Sequence, residues 1–299
     1  MHTTNYHEWG PCATLTDGRC TVYIPLGFGP RIIGLKAGKQ NLLGEMAPTG
    51  DMETFQLYGG HRLWVAPEDV VVSYEPDNAP VEVTEEGGWT CFTSPLGVSR
   101  LAKTLSVRVR ETGGGFVIRH QITNRSDADV RVSAWGLTVM TTGGECLIPQ
   151  PPHADHPGAL LPARPMVVWP YTDMSDPRWT WGKRVIRLRH DGDRGPQKIG
   201  AMIGEGIATY SVYGQTFVKR FSAEADATYP DLGCNFETFT RQDMLEVESL
   251  GPLAYLRPGE STETFETWYV IDEVPPADDA GAGDWMANLA TKYPHFETR

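Results

Sequence analysis

The sequence predicts an all-β protein, a large antiparallel β-sandwich of two sheets with a short C-terminal helix. Turn residues interrupt the 299-residue chain at intervals of roughly 8 to 12 positions, and the chain contains 32 Gly and 23 Pro. Between these turns, apolar and polar residues alternate with the period of a strand, and segments with helical period are almost absent. About fourteen such segments in one chain indicate two large facing sheets.

The predicted strands follow one another along most of the chain. In order they are residues 20–24, 31–37, 70–74, 81–85, 89–93, 102–111, 115–124, 130–140, 199–204, 207–212, 216–221, 234–239, 244–250 and 262–271. Two stretches depart from this rhythm. Residues 149–178 form a long insertion that carries Pro, His and Trp in place of alternation, and loops of this length are usually functional or disordered.

The second departure is the tail, residues 274–299, which begins as a linker and continues as a short helix over residues 284–292. Trp285 and Leu289 lie four residues apart, a spacing that would dock one face of this helix on the body. No internal repeat and no separate domain is evident. We therefore predict a single domain over residues 1–299.

The predicted hairpin of residues 234–250 carries most of the candidate chemistry. If residues 240–243 form its turn, Glu237 lies opposite Glu246 and Asn235 lies opposite Glu248, so that three carboxylates and an amide share one face. Like charges in opposite positions are destabilising, which indicates a compensating cation, ligand or proton, with Lys219 or Arg220 as the candidate cation. Alternatively, this face is the solvated side of an antiparallel sheet, where alternating Glu is ordinary.

Composition narrows the classes of partner. The net charge of -12, from 26 basic and 38 acidic residues, argues against nucleic acid and anionic membranes as partners. No apolar run approaches the length of a membrane span, and the first residues lack the basic and apolar regions of a secretory signal. We expect a cytoplasmic protein with a small-molecule partner.

The five cysteines are odd in number, scattered and without a C-x-x-C pair. This pattern favours buried, reduced thiols over a zinc site or a disulfide framework. We therefore predict no cofactor and no metal site, although clustered carboxylates could accept Ca²⁺. The sequence leaves the oligomeric state open.

Several motifs, in order, resemble the galactose mutarotase superfamily, which comprises the aldose 1-epimerases and their carbohydrate-binding relatives. They are GFGPRIIGLKAGKQNLLGE from position 27, NRSDADVRVSAWG from position 124 and LEVESLGPLAYLRPGESTETFETWYV from position 245. GGHRLWVAPE from position 59 and YPDLGCNFETFT from position 229 resemble, more closely, an uncharacterised bacterial branch of it. The resemblance covers residues 27–270 and implies a very large β-sandwich with a sugar site in the concave face of its larger sheet.

The resemblance also implies a mechanism in which a late-strand Glu removes the proton of the anomeric hydroxyl while a His protonates the ring oxygen. Glu248 matches the base best, with Glu246 next. No histidine lies between Gln121 and Pro152, where the superfamily places its acid. We expect His61 to replace it, and the next candidates are His153 and His156 of the insertion, which otherwise read as solvated loop residues.

Residues 58–68 supply further candidate binding groups. Arg62 offers planar hydrogen-bond donors, Trp64 can stack on the apolar face of a pyranose, and Glu68 adds a carboxylate. Alternatively, His61 and Arg62 are a plain surface pair without a binding role. Asp231 and Asn235 could hold sugar hydroxyls, although Asp after Pro is also common turn chemistry. Trp179 and Trp181 beside the insertion could close over a ligand or pack in the core.

The leading functional expectation is a sugar isomerase of the aldose 1-epimerase kind. One alternative is a hydrolase or lyase on the same scaffold, because a fold does not fix its chemistry, and paired carboxylates such as Glu237 and Glu248 can cleave glycosidic bonds. The other alternative is a sugar-binding protein without turnover.

Overall fold

The computed structural model describes residues 1–296, and it contains 23 β-strands and one α-helix, α1 (Asp279–Lys292). The first twelve strands are β1 (His2–Asn5), β2 (Pro11–Thr16), β3 (Cys20–Pro25), β4 (Arg31–Ile32), β5 (Gly34–Ala37), β6 (Gln40–Asn41), β7 (His61–Ala66), β8 (Glu82–Glu86), β9 (Trp89–Thr93), β10 (Leu101–Val109), β11 (Phe116–Asn124) and β12 (Val130–Met140). The others are β13 (Glu145–Pro149), β14 (Met166–Val168), β15 (Trp179–Trp181), β16 (Val185–Arg189), β17 (Gln197–Ala201), β18 (Ile207–Val212), β19 (Gln215–Phe221), β20 (Phe236–Arg241), β21 (Met244–Leu250), β22 (Ala254–Leu256) and β23 (Ser261–Ile271).

Two large antiparallel sheets build the body, as the sequence predicted. One has ten strands in the order β15-β16-β13-β18-β19-β23-β11-β10-β9-β8. The other has eight, of which seven follow the order β14-β17-β20-β21-β12-β7-β4 and the eighth is β22. A five-stranded sheet, β1-β2-β3-β5-β6, adds to them, and β22 pairs with the start of β12. Apolar side chains from all three sheets form one continuous core. No described helix is long and apolar enough to cross a membrane.

Alternation along the strands of the eight-stranded sheet separates its two faces, because successive side chains point in opposite directions. On β7, Leu63 and Val65 belong to the main core. Trp64 belongs to a different apolar cluster, with Trp135 and Leu137 of β12. The even positions of β7 therefore lie on the outer face of this sheet, away from the ten-stranded one.

The hairpin of β20 and β21 is tighter than predicted, since only Gln242 and Asp243 separate its strands. Glu237 therefore lies opposite Glu248, and Phe239 lies opposite Glu246. The predicted register was wrong by two residues because β20 continues to Arg241, two residues further than predicted, and leaves a two-residue turn of the kind favoured in hairpins. A shift of two preserves the face of every side chain, so the carboxylates still share one face.

The predicted strand at residues 70–74 was wrong, because this segment forms a turn. Asp69 initiates the turn: its Oδ1 accepts hydrogen bonds from the backbone N–H groups of Val71 and Val72. Of the valines that suggested a strand, Val70 and Val71 are exposed and Val72 is half-buried. The helix predicted at residues 284–292 begins earlier, where the side chain of Asp278 accepts a hydrogen bond from the N–H of Gly281 and caps it. The last three residues of the predicted tail, 297–299, lie outside the described part of the chain.

A buried polar cluster lies between the two main sheets. His61 Nε2 is 2.6 Å from His120 Nε2, and Lys219 Nζ is 3.0 Å from Glu266 Oε1. Gly136 is required beside them, because a Cβ at this position would collide with Glu266 Oε1. All of these side chains are fully buried, so each depends on its neighbours for compensation.

The two histidines predict a dependence of stability on pH. Burial lowers the pKa of His120 to about 4 and that of His61 well below its ordinary value. The unfolded chain, with a His pKa near 6.5, therefore binds more protons than the folded protein as the pH falls below that value. Between pH 7 and pH 5, His120 alone should lower the free energy of unfolding by about 2 kcal/mol.

This contribution is isolated by comparing the wild type with His120→Gln in urea unfolding at both pH values. The difference between the two proteins should shift by about 2 kcal/mol in favour of the variant at pH 5. The comparison is needed because Glu248, whose pKa is raised, contributes with the opposite sign over the same range. Ring NMR signals that titrate near pH 6.5 for both His61 and His120 would contradict the account.

Candidate functional site

A cavity of about 390 Å³ opens on the outer face of the eight-stranded sheet. Strands β7, β12, β17, β20 and β21 form its floor, and segments around residues 47–57, 68–74 and 171 form its walls. The aromatic lining residues are Phe55, Trp64, Tyr74, Trp135, Tyr171 and Phe239. The charged lining residues are Arg62, Glu68, Lys198, Arg241 and Glu246.

Arg62 provides unused hydrogen-bond donors at the cavity floor. Its guanidinium carbon lies 4.4 Å from the ring centroid of Trp64, and its Nη2 is 3.1 Å from Glu246 Oε1. That ion pair lacks hydrogen-bond geometry, and Arg62 Nε and Nη1 have no hydrogen-bond partner among residues 1–296. Burying unsatisfied donors is costly, so the arrangement favours a polar ligand or water that accepts from Arg62 and donates to Glu246.

Lys198 lies between two carboxylates under the cavity. Its Nζ is 2.7 Å from Glu237 Oε2 and 3.4 Å from Glu248 Oε2. The ring centroids of Trp135 and Trp169 lie 4.8 and 4.7 Å from the same ammonium, a geometry in which aromatic faces attract a cation. The position follows from strand pairing, because Lys198 on β17 lies opposite Phe239 on β20.

Burial is the largest effect on the pKa values of Glu237 and Glu248. Burial raises the pKa of Glu248 to about 7; Lys198 opposes this shift, and Glu246 adds to it. Burial likewise raises the pKa of Glu237 well above its ordinary value, again against the effect of Lys198. For Lys198 itself, burial lowers the pKa, but the attraction of Glu248 and Glu237 outweighs burial and raises it. Lys198 therefore remains an ammonium.

The cavity wall at residues 55–57 is held by Arg31, whose side chain is fully buried. Its Nε and Nη2 form a two-point contact with Asp77, each at 2.9 Å, and it also donates to the carbonyl oxygens of Gln56 and Leu57. Fork-shaped contacts of this kind fix geometry as well as charge. Arg31 thus positions the wall and does not line the cavity.

The structure brings several of the predicted site residues together. Arg62, Trp64, Glu68 and Glu246 all line the cavity. Glu248 lies immediately behind the lining, where its Oε2 accepts a hydrogen bond of 3.0 Å from Trp135 Nε1. Glu68 Oε1 is held by the hydroxyl group of Tyr74 at 2.6 Å. The sugar site was predicted in the concave face of the larger sheet. This location needs a correction, because the cavity lies on the sheet with fewer strands.

His61 is not in the cavity, so its expected role as acid needs correction. It precedes Arg62 on β7 and therefore points into the interior, where Thr138 Oγ1 lies 2.9 Å from its Nδ1. The candidates His153 and His156 are exposed in the insertion and do not line the cavity. No histidine belongs to the cavity lining in the described part of the chain.

Asn235 and Asp231 do not reach the cavity either. The side chain of Asn235 is buried and bonds the backbone N–H and carbonyl of Ile203, so it fastens a neighbouring segment. Asp231 lies in a turn with a positive φ of 49°, the turn chemistry that competed with a binding role. Both residues precede β20, which begins at Phe236.

Lys219 or Arg220 was predicted to be the cation that compensates the carboxylates of the hairpin. The prediction was wrong for both residues. Lys219 faces the interior and pairs with Glu266, while Arg220 donates to the carbonyl oxygens of Ala290 and Tyr293 near the end of α1. Lys198 takes that role instead. The sequence places Lys198 just before a predicted strand, but only the pairing of β17 with β20 reveals its position beneath the cavity.

The tryptophans of β15 also lie away from the cavity lining. Trp179 is buried, and its Nε1 donates to Gln197 Oε1 at 3.2 Å, in agreement with the core-packing alternative. Trp181 stacks on it with ring centroids 5.1 Å apart. The insertion instead contributes Tyr171 to the cavity, and Trp169 to the group around Lys198.

One cluster of the described residues has the composition of a metal site. His61, His120 and Glu266 bring one potential ligand atom each to within 4.8 Å of one another. The cluster is in the interior, and Glu266 already accepts from Lys219 and from Trp268 Nε1 at 2.6 Å. The donors present therefore satisfy the carboxylate without a metal ion.

Comparisons with solved structures show a shared fold at low sequence identity. A galactose mutarotase-like protein from Lactobacillus casei ATCC 334 is 12% identical, covers 87% of this chain and 100% of its own, and has a TM-score of 0.56. A protein from Escherichia coli K12, described as a candidate aldose 1-epimerase, is 12% identical with coverages of 87% and 98% and a TM-score of 0.57. A galactose mutarotase related enzyme from Lactobacillus acidophilus is 10% identical, with coverages of 86% and 97% and a TM-score of 0.54.

A scan against protein-family models finds no match. A search of curated proteins also finds none. The structural likeness extends over most of the chain and over nearly all of each neighbour. The chain therefore has the galactose mutarotase-like fold, the two-sheet β-sandwich that its sequence predicted.

Proposed function

We propose that the cavity binds a sugar of monosaccharide size and that the protein is an aldose 1-epimerase-like isomerase. The observation that carries the proposal is the Arg62–Glu246 pair beside Trp64. A sugar hydroxyl can accept a hydrogen bond from Arg62 and donate one to Glu246, while an apolar sugar face lies on an aromatic ring. The similar structures, which are named as mutarotase-like proteins and as a candidate epimerase, support the same class.

Exchange of anomers requires one group that accepts a proton from the anomeric hydroxyl and one that donates a proton to the ring oxygen. Glu246 lines the cavity, whereas Glu248 lies behind Trp135 and Lys198. We therefore assign the base role to Glu246 in this structure. Glu248, with a pKa raised to about 7 by burial, is suited to hold or release a proton near neutral pH.

The test is the rate of anomer exchange, measured by NMR or polarimetry, for a panel of neutral aldoses. Freshly dissolved α-anomers should equilibrate faster with the protein than without it, and Arg62→Met should slow the exchange by weakening sugar binding. Met retains a long side chain against Trp64 but removes every donor of the guanidinium. A panel in which no aldose is accelerated would refute the isomerase proposal.

The second candidate is a sugar-binding protein without turnover, favoured by the absence of histidine from the described cavity lining. Sugar binding by calorimetry without any acceleration of anomer exchange would support it. A hydrolase receives less support, because Glu237 and Glu248 share one ammonium under the cavity instead of flanking a substrate. We also retain a cytoplasmic location as a proposal, with which the five buried free cysteines agree.

A further inference from the structure

We propose that Glu237 and Glu248 share one proton and that this pair, acting through Lys198, supplies the acid of the isomerase. The inference rests on the proposed function for its catalytic part and on the geometry of the buried group for its proton. It would account for a sugar isomerase whose described cavity lining contains no histidine.

The buried group contains more carboxyl groups than cations, because Glu237 and Glu248 share Lys198. Glu237 and Glu248 are fully buried and lie directly opposite each other on β20 and β21. Both approach the same ammonium, that of Lys198. Two buried carboxylates and one cation leave a net negative charge, which is expensive in a poorly solvated site. One proton shared between the carboxyl groups removes it, as happens when two carboxyl groups occupy one site.

Several carboxyl oxygens of the pair lack hydrogen-bond partners among the described residues. Oε1 of Glu237 and Oε1 of Glu248 have no hydrogen-bond partner within residues 1–296, and the 2.7 Å contact of Lys198 Nζ with Glu237 Oε2 is an ion pair without hydrogen-bond geometry. A carboxylate accepts hydrogen bonds only, whereas a protonated carboxyl group can also donate one. A proton on either residue therefore gives the pair a donor that the ionised forms lack.

Among the described residues, Lys198 is the cation that lowers the pKa values of both glutamates. Asp231, in the preceding turn, raises the pKa of Glu237 further. On the other side, Glu246 raises and Arg62 lowers the pKa of Glu248, and these two are already paired with each other. Lys198 is thus the cation that both carboxyl groups share.

Lys198 connects the pair with the cavity, because its side chain lines the cavity while its Nζ contacts both glutamates. In ring opening, the anomeric hydroxyl gives its proton to Glu246 and the C1=O1 double bond forms. The C1–O5 bond breaks, its electron pair stays on O5, and O5 takes a proton from Lys198. The carboxyl pair returns a proton to Lys198. After rotation about the C1–C2 bond, O5 attacks the other face of the C1 carbonyl and each proton transfer is reversed, so the other anomer forms and the protein ends in its initial state.

The proton is tested without any sugar, by infrared difference spectroscopy of the full chain at neutral pH in H₂O and D₂O. A protonated, buried carboxyl group has a C=O band above the amide I region that shifts on deuteration. The wild type should show this band, and both Glu237→Gln and Glu248→Gln should lose it, because the remaining carboxylate then pairs one to one with Lys198. Glu263→Gln, on an exposed position of β23, should keep it.

The catalytic part is tested separately by anomer exchange with Glu237→Gln. Its rate should fall about 10²-fold or more, the usual range for loss of an acid, with sugar affinity unchanged because Glu237 does not line the cavity. Glu237→Asp, which restores a carboxyl group, should recover part of the rate. A wild type without the infrared band overturns the shared proton. A band with normal exchange in Glu237→Gln overturns its catalytic use, and a band with no exchange in the wild type refutes the proposed function alone.

Discussion

Replacing Lys198 with Met is expected to lower the free energy of unfolding at pH 7 by about 3 to 5 kcal/mol, the usual cost of removing one partner from a buried ion pair. Lys198 is the cation that both Glu237 and Glu248 contact, at 2.7 and 3.4 Å. Methionine keeps an unbranched apolar side chain between Trp135 and Trp169, so the loss should report charge more than packing.

The measurement is urea unfolding followed by tryptophan fluorescence at pH 7 and pH 5. The difference from the wild type should shrink at pH 5, because the pKa values of both glutamates are raised and their protonation removes the uncompensated charge. Lys39→Met, at an exposed turn position, is the matched control and should change stability little. Equal stabilities of Lys198→Met and Lys39→Met would contradict this account of the buried group.

Replacing Glu246 with Gln is expected to reduce the rate of anomer exchange by about 10²- to 10⁴-fold, the range typical for loss of a general base. Gln keeps the shape and a hydrogen-bond acceptor beside Arg62, so sugar binding should be largely retained. Exchange is measured by NMR at saturating sugar concentration, together with sugar affinity by calorimetry. This separates loss of proton transfer from loss of binding.

Glu263→Gln serves as the control for Glu246→Gln, because it removes one carboxylate from an exposed position on the ten-stranded sheet. It should exchange anomers at the wild-type rate. If Glu246→Gln keeps the full rate, the base is another group, and Glu248 becomes the next residue to test.

The sequence predicted the fold class and most of the cavity's carboxylate face because both depend on local alternation. The error of two residues in the register of β20 and β21 did not move Glu237, Glu246 or Glu248 to the other face, since side-chain direction has period two. The prediction for His61 failed because residues 61–66 were not recognised as a strand. With β7 recognised, the same alternation places His61 and Arg62 on opposite faces.

Lys198 could not be placed from the sequence, because its position depends on long-range pairing. β17 lies beside β20, about forty residues later in the chain, and nothing local to residues 197–201 indicates that neighbour. The pairing of Lys219 with Glu266 in the interior could not be predicted from the sequence either. Lys219 was therefore mistaken for the cation of the cavity. Long-range strand order thus decides which cation faces which carboxylates.

A crystal structure with a bound neutral aldose tests the central claim most directly. The account predicts a pyranose in the cavity of the eight-stranded sheet, with one face on an aromatic side chain such as Trp64 and a hydroxyl between Arg62 and Glu246. A sugar bound elsewhere, or one that meets neither Arg62 nor Glu246, would contradict it.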